Sequence, residues 1–414
     1  ATLGGDVTLT QAGNTIEWLA SADLRNAALT AGGALTLRTT TNLSLHNTGA
    51  GTNIWTGTAD IEAASIGPAA AGGAQLVGLR AIGSGSGATA ISLVATGGDV
   101  VLGAGSVLAA TGTAPSTILV DAAGSLSAGA AISAGTGVTL TAGGDIALTD
   151  ASLAAPSVSV TADGTLAMTR TPVDGGTVTL RALGGPLSLV GNSPPVTVAA
   201  SGALVLSSGA GSALTLTDMA LSGAGVTLTA AGTLNVTRGA VNAGAGALTM
   251  VSVGASTLAG AAFTGGTITL TGGAVAITGG SLIAAGDLTI TPASGAIAAE
   301  AATLRAGGAL TLGATGALGL TDTVVEAASA SLAAAAGDLS VSGGSVTTTG
   351  PLAIAARDAT FAATNLGAGG AVTITATRNL AMTNTGLSGQ AVNVSAAAGA
   401  TVSGGSITSA ASLG

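Results

Sequence analysis

Two successive stretches of the chain decide the fold. Residues 138–157 read VTLTAGGDIALTDASLAAPS, and residues 158–177 read VSVTADGTLAMTRTPVDGGT. Both place apolar residues at the same five positions, which in the first stretch are Val138, Leu140, Ile146, Leu148 and Leu153. Apolar residues two apart are typical of a β-strand, because neighbouring side chains on a strand point to opposite faces. Each stretch therefore predicts two short strands and a third strand around the fifth position.

The same pattern recurs along much of the chain. It begins again at Val226 (VTLTAAGTLNVTRGAVNAGAGA), Leu310 (LTLGATGALGLTDTVVEAAS) and Val372 (VTITATRNLAMTNTGLSGQA). The period is about 20 residues, and it stretches to 22 between Leu288 and Leu310. Gly often separates the first two strands, as at Gly143, where it can adopt the positive φ of a tight turn.

Two or three short strands cannot bury an apolar face by themselves. Stacking successive repeats solves this, because equivalent strands pair in parallel and the apolar positions meet inside. We therefore predict an all-β fold, a single parallel β-helix (β-solenoid) with about 20 residues per coil. Residues 1–137 form less regular amino-terminal coils, which contain Trp18, His46 and Trp55, and residues 138–414 form the regular coils of one continuous rod.

The composition excludes several classes of protein. Of 414 residues, 69 are Gly, 7% are charged and none is Cys, which argues against a disulfide scaffold or thiolate metal sites. The net charge is −9 and all nine basic residues are Arg, so we expect no nucleic-acid partner. No apolar stretch is long enough to span a membrane as a helix. The start at Ala1 predicts a mature product or an excised segment.

The repeated form VTLTAxGxLxVTxxxVxA, with Gly and Asp at its turns, resembles the repeats of filamentous haemagglutinin-like exoproteins. The resemblance covers nearly the whole chain and is clearest from Val138 to Thr401. That family consists of very large adhesins that two-partner secretion systems export across the bacterial outer membrane. The resemblance implies a right-handed parallel β-helix, a secreted or cell-surface location, and roles in adhesion, aggregation and biofilm. The Asn-Pro-rich motifs of the family's secretion domain are missing, so this stretch would be shaft.

Residues that carry chemistry are scarce. His46 is the only histidine, and we expect it at the surface just past a strand. Five carboxylates follow Gly just before a strand, and we interpret them as turn residues that bond their own backbone: Asp6, Asp99, Asp145, Asp287 and Asp338. Most are several coils apart, so they do not form the carboxylate pair of a glycosidase. We therefore predict no catalytic residue, no cofactor and no metal site.

One position after the second strand of the repeat is often polar or charged. It holds Asp150, Arg170, Arg238, Asp322 and Asn384. Asp150 and Arg170 are one repeat apart, close enough to pair at the surface, where such a pair has little energetic weight. The simple interpretation of this position is a solvated corner.

Threonine dominates the outward positions of the first strand, as in the pairs Thr139–Thr141 and Thr227–Thr229. Such arrays resemble the flat faces of some ice-binding proteins, but Ser159 and Arg181 interrupt them. Threonine is also simply a good residue for an exposed strand.

The expected function is structural: a fibre or adhesin shaft at a bacterial surface, acting through extended shape and self-association. A surface with few charges has little repulsion to keep neighbouring copies apart, so the expected partner is another copy, with cell-surface glycans as a second class. The carboxy-terminal stretch from 392 has no charge, and we expect its strand edge to meet more chain. Two alternatives stay open: a carbohydrate-active β-helix enzyme, and glycan or ice binding through the threonine face.

Overall fold

A computed structural model describes residues 2–9, 13–18, 22–31, 33–46, 54–56, 58–67, 78–81, 89–110 and 116–413. Within these ranges every element of regular secondary structure is a β-strand, and the strands pair in parallel. They stack as a β-solenoid of about 16 turns, with equivalent residues roughly 21 apart. The predicted fold class is thus confirmed.

The chain divides into two compact units, Ala1–Ser212 and Ala213–Gly414. The first unit contains β1 (Thr2–Leu9), β2 (Gly13–Trp18), β3 (Ala22–Ala31), β4 (Ala34–Thr39), β5 (Asn42–His46), β6 (Ile54–Thr56), β7 (Thr58–Ala63), β8 (Ser65–Ile66), β9 (Gly78–Ala81), β10 (Thr89–Ala95), β11 (Val100–Leu102), β12 (Val107–Ala110), β13 (Thr117–Ala122), β14 (Leu126–Ala128), β15 (Ala131–Ala134), β16 (Gly137–Ala142), β17 (Ile146–Thr149), β18 (Ser152–Ala162), β19 (Leu166–Thr169), β20 (Val173–Ala182), β21 (Leu187–Val190), β22 (Val196–Ala200) and β23 (Ala203–Ser207).

The second unit contains β24 (Leu214–Ser222), β25 (Gly225–Ala230), β26 (Leu234–Asn242), β27 (Ala247–Ser252), β28 (Ser256–Gly265), β29 (Thr267–Gly272), β30 (Val275–Thr278), β31 (Ser281–Ala284), β32 (Leu288–Pro292), β33 (Ile297–Glu300), β34 (Thr303–Ala314), β35 (Leu318–Thr321), β36 (Val324–Ala334), β37 (Leu339–Ser342), β38 (Ser345–Thr348), β39 (Leu352–Ala356), β40 (Ala359–Ala362), β41 (Asn365–Ala368), β42 (Val372–Ala376), β43 (Asn379–Ala396) and β44 (Gly399–Leu413).

A regular coil has three sides, which we name after the coil that begins at residue 138. Side A is residues 138–142, side B is 146–149 and side C is 152–155. Corner AB lies at 143–145, corner BC at 150–151 and corner CA at 156–157. Some strands, such as β18, continue from side C around corner CA into side A of the next coil. The third strand predicted from the sequence is therefore present.

Stacked coils keep their predicted register. Val138 pairs with Val158, and Ile146 pairs with Leu166 on the next side. Adjacent parallel strands lie about 4.8 Å apart, so each inward side chain touches its equivalents above and below. All five predicted apolar positions of the coil from Val138 are at most 1% exposed. Within each unit the core is an aliphatic column in which each coil covers the apolar face of its neighbour.

The core also contains positions that the five-residue pattern omits. Ala142, at the end of side A, is buried, and so are its equivalents Ala162, Ala182 and Ala230. A small side chain fits there because the chain is turning into corner AB.

Coil length varies most in the amino-terminal part of the chain. Leu35 pairs with Ala59, which pairs with Ile91, which in turn pairs with Ile118. These partners are 24, 32 and 27 residues apart, against 20 between Val138 and Val158. The boundary that we predict at residue 137 stays a prediction.

Corner BC turns through one residue in the left-handed conformation. It is Asp218 (φ 53°), Arg238 (φ 53°), Ala301 (φ 49°) or Asp322 (φ 48°) in different coils of the second unit. The residue after it is small or buried. Thr323, for example, donates its hydroxyl to the carbonyls of Ala299 (3.0 Å) and Thr321 (2.9 Å). The corner therefore combines a strained backbone with a buried hydroxyl that satisfies two carbonyls.

The left-handed corner predicts that Ala301→Gly stabilises the protein. The left-handed conformation costs Ala roughly 1–2 kcal/mol, whereas the added freedom of Gly in the unfolded chain costs only about 0.4–1 kcal/mol. The unfolding free energy in urea should rise by up to about 1 kcal/mol. Ala298→Gly, on side B of the same coil, is the control and should lower it. A destabilised Ala301→Gly variant would contradict the assigned corner strain.

Candidate functional site

The carboxylates at the corners bond across coils. Asp145 Oδ1 accepts a hydrogen bond from the backbone N–H of Thr165 (2.7 Å), and Asp99 Oδ1 accepts one from Ser125 (2.7 Å). Asp287 and Asp358 accept equivalent bonds from Ala309 and Asn379. The expectation that these Asp side chains bond their own backbone is wrong for Asp99, Asp145 and Asp287. The partner is instead the coil that follows, because its corner N–H groups leave the strand ladder and point at the carboxylate.

This arrangement explains where several glycines fall. A Cβ on Gly164 would overlap Asp145 Oδ1, and one on Gly308 would overlap Asp287 Oδ1. At these two corners the carboxylate thus occupies the space that a side chain at the glycine of the next coil would take.

The other two carboxylates of the predicted set behave differently. Asp6 lies in β1, in register with Ala28, and its side chain is outside the described part of the structure. Asp338 accepts two hydrogen bonds from Arg357, at 3.0 Å each.

Arg357 and Arg378 each also lie 3.6 Å from Asp358, so opposite charges alternate along corner AB. Loss of hydration acts to raise the pKa of Asp358. The hydrogen bonds from Asn379 and the charges of Arg378 and Arg357 outweigh that effect and lower the pKa below its usual value.

Corner BC holds two bidentate ion pairs. Arg170 Nε and Nη2 lie 2.6 and 2.7 Å from the carboxylate oxygens of Asp150, so the pairing that their spacing allows is present. Arg238 binds Asp218 in the same way, at 2.8 and 2.7 Å. In each pair the hydrogen bonds from Arg lower the pKa of the carboxyl, and those to Asp raise the pKa of the guanidinium.

Sequence reasoning missed Asp218, although a signal was present. Asp218 follows LTLT at 214–217 just as Asp150 follows IALT at 146–149. The connection before it, residues 208–213, is longer than the equivalent residues 143–145, so the regular spacing of the repeat does not place Asp218 at corner BC.

The aromatic residues and the histidine of the amino-terminal coils lie in strands. His46 is the last residue of β5, in register with Arg25, rather than just past the strand as we expected. Trp18 ends β2, and Trp55 lies in β6. The side chains of these three residues are outside the described part, so the surface role predicted for His46 stays a prediction.

The outward threonines form an unbroken column in the second unit. Thr227, Thr249, Thr269, Thr289 and Thr311 are in register on side A of five successive coils. In the first unit Ser159 and Arg181 interrupt side A, as the sequence indicates.

A shallow groove lies at corner CA of the first unit. Its volume is about 500 Å³, and its lining is mainly Ala and Gly with Pro156, Ser133 and Asp174. Glycoside hydrolysis uses two carboxylates, and the described lining supplies only Asp174. The groove is therefore a poor match to the enzyme that the sequence left open.

Within the described ranges, His, Cys, Asp and Glu residues form no group of three that could hold a metal ion. The described part of the chain contains no helix that is long and apolar enough to cross a membrane. Together the fold and its corners define a parallel β-solenoid repeat protein. Comparison with protein-family models, curated proteins and solved structures finds no match for this chain.

The bond between coils predicts a specific loss of stability for Asp145→Ala. The change removes the acceptor of the Thr165 N–H, so the unfolding free energy in urea should fall by about 1 kcal/mol. Asp163→Ala is the matched control, because Asp163 occupies the same corner one coil later and its backbone makes the corner bond. Equal losses in the two variants would contradict the assigned bond.

The Asp218–Arg238 pair predicts a dependence of stability on pH. Because the folded pKa of Asp218 is lowered from 3.8, the charged carboxylate stabilises the folded state above that pH. The contribution is lost as the pH falls through the lowered folded pKa. The stability difference between the wild type and Asp218→Asn, measured by urea unfolding, should therefore be present at pH about 5 and shrink progressively as the pH is lowered below 3.8.

Asp322→Asn is the control, since Asp322 occupies the same left-handed corner between Ala301 and Gly343 rather than beside an Arg. An equal dependence on pH in both variants would show that the ion pair is not its source.

Proposed function

We propose that this chain is a non-enzymatic structural protein: a shaft or fibre segment that is exported to a bacterial surface and acts by self-association. The observation that carries the proposal is the in-register stack of coils around an aliphatic core. Each coil needs its neighbours in order to bury Leu140 and its equivalents. The repeated sequence therefore favours an extended stack of coils over a fold that encloses a binding pocket. The resemblance to filamentous haemagglutinin-like repeats supports the bacterial, extracellular setting.

The distribution of charge supports self-association. Many of the charged side chains lie in ion pairs at the corners, such as Asp150–Arg170 and Asp338–Arg357. The sides between the corners carry mainly Thr, Ser, Ala and Gly. Such a surface has little long-range repulsion to keep two copies apart, and it presents a flat array of small side chains for contact.

The last described coil adds a second kind of contact. Val402 and Ile407 occupy the inward positions of Met382 and Leu387, but they are 54% and 38% exposed. β44 pairs with β43 along one edge. A parallel strand laid on the other edge would cover both side chains. We expect another copy of the chain to supply that strand.

Electron microscopy of the purified chain tests this proposal. We expect filaments or bundles, and no release of products from neutral or acidic polysaccharides. Val402→Asp should shorten the filaments, because it places a charged carboxylate where the next strand would otherwise bury an apolar side chain. Thr401→Asp, the outward neighbour on the same strand, is the control and should leave their length unchanged. Single particles at high protein and salt concentration, or polysaccharide cleavage, would contradict the proposal.

A further inference from the structure

Side A of the second unit is a broad face without charge. It consists of nine stacked strand segments between residues 226 and 396. Of its eighteen outward positions ten are Thr, and the others are Ala, Ser, Val, Gly and Asn. Side B of the same unit carries Glu300, and side C carries the Arg305–Glu326 pair. Side A of the first unit carries Asp121 and Arg181.

The outward positions of this face form straight columns. Each segment of side A pairs with the next in continuous register, from Val226–Leu248 to Ile374–Val394. Every outward side chain of the face is partly or fully exposed. The columns repeat at the strand spacing of about 4.8 Å.

A partner that contacts all nine segments must share that repeat, because any other spacing falls out of step after a few coils. A second copy of the chain has the same repeat. The face measures about 38 Å by 16 Å, so pairing two copies buries about 1,200 Å², the lower end of the range for stable protein interfaces.

The sizes of the side chains select one orientation. The first part of the face is rich in threonine, as at Thr269 and Thr271. The sixth and seventh segments carry smaller residues, such as Ala353 and Ala355, before threonine returns at Thr373. If two copies ran in the same direction, these alanines would face each other and leave a gap. A twofold axis through the middle coil instead places Thr269 and Thr271 opposite Ala353 and Ala355, so large side chains meet small ones.

We propose that two copies pack side A of residues 226–396 face to face and antiparallel, about a twofold axis beside Thr311. This inference rests on the proposed structural function and adds a lateral contact to it. The lateral contact uses different residues from the edge of β44, so an experiment can disprove one contact without disproving the other. A loss of pairing through side A leaves filament growth that depends on Val402 intact.

Sedimentation of the full chain tests the face. The wild type should be dimeric or larger at micromolar concentration. In the Val402→Asp background, which blocks the edge contact, Thr269→Glu should shift the dimer to monomer because it buries an unpaired charge at the interface. Thr257→Glu is the matched control, since Thr257 is an exposed threonine on side B of the second unit, and it should stay dimeric. The proposal would be overturned if the Val402→Asp protein were already monomeric with side A unchanged. It would also be overturned if Thr269→Glu and Thr257→Glu dissociated the dimer equally.

Single cysteines test the orientation, because the natural chain contains no Cys. Thr311→Cys lies beside the proposed axis, so a thiol cross-linker about as long as the sheet-to-sheet distance of ~10 Å should join two copies. The two cysteines of a Thr227→Cys dimer would be about 38 Å apart and should not be joined.

Cross-linking of both variants would show that the copies run in the same direction and overturn the twofold arrangement. A monomeric protein that instead slows the growth of ice crystals would overturn the pairing and assign the threonine columns to ordered water.

Discussion

The stacking of one coil on the next is the interaction on which this structure depends. A single coil is a ring of short strands with no interior of its own, and it becomes buried only when Leu140 is covered by Val160 and the coils beyond. Burial and strand pairing require the same alignment. A slip of one residue would turn every inward side chain to the surface and would also break the contacts at the corners. Register is therefore specified many times over in each coil.

The corners are where the strand ladder is interrupted, and each type of corner replaces the missing bonds in its own way. At corner AB a carboxylate such as Asp145 accepts the N–H of the following coil. At corner BC a left-handed residue makes the turn, and a buried hydroxyl such as that of Thr323 binds the carbonyls left behind. These groups act between coils or within one bend. Polar residues here serve the continuity of the stack.

The same division explains the surface. Charges sit mainly at corners, where a long side chain reaches its partner one coil away, as Arg238 reaches Asp218. Sides must stay flat for strands to pair, so small or β-branched residues occupy them. The result in the second unit is a face of repeated threonines without charge, bordered by charged corners. This pattern is the basis for the self-association that we propose.

The repeat pattern was enough to predict the fold class and the five inward positions and to place Asp150 one coil from Arg170, because a period of 20 residues maps directly onto equivalent places in adjacent coils. The tertiary structure decided what that period does not encode. It showed that Asp145 bonds the next coil, that Ala142 is part of the core, and that Asp218 meets Arg238 after an irregular segment. The physical reason is that contacts between coils depend on the length of each turn. Where that length departs from the repeat, as between Ala59 and Ile91, local pattern gives no partner and only the folded register does.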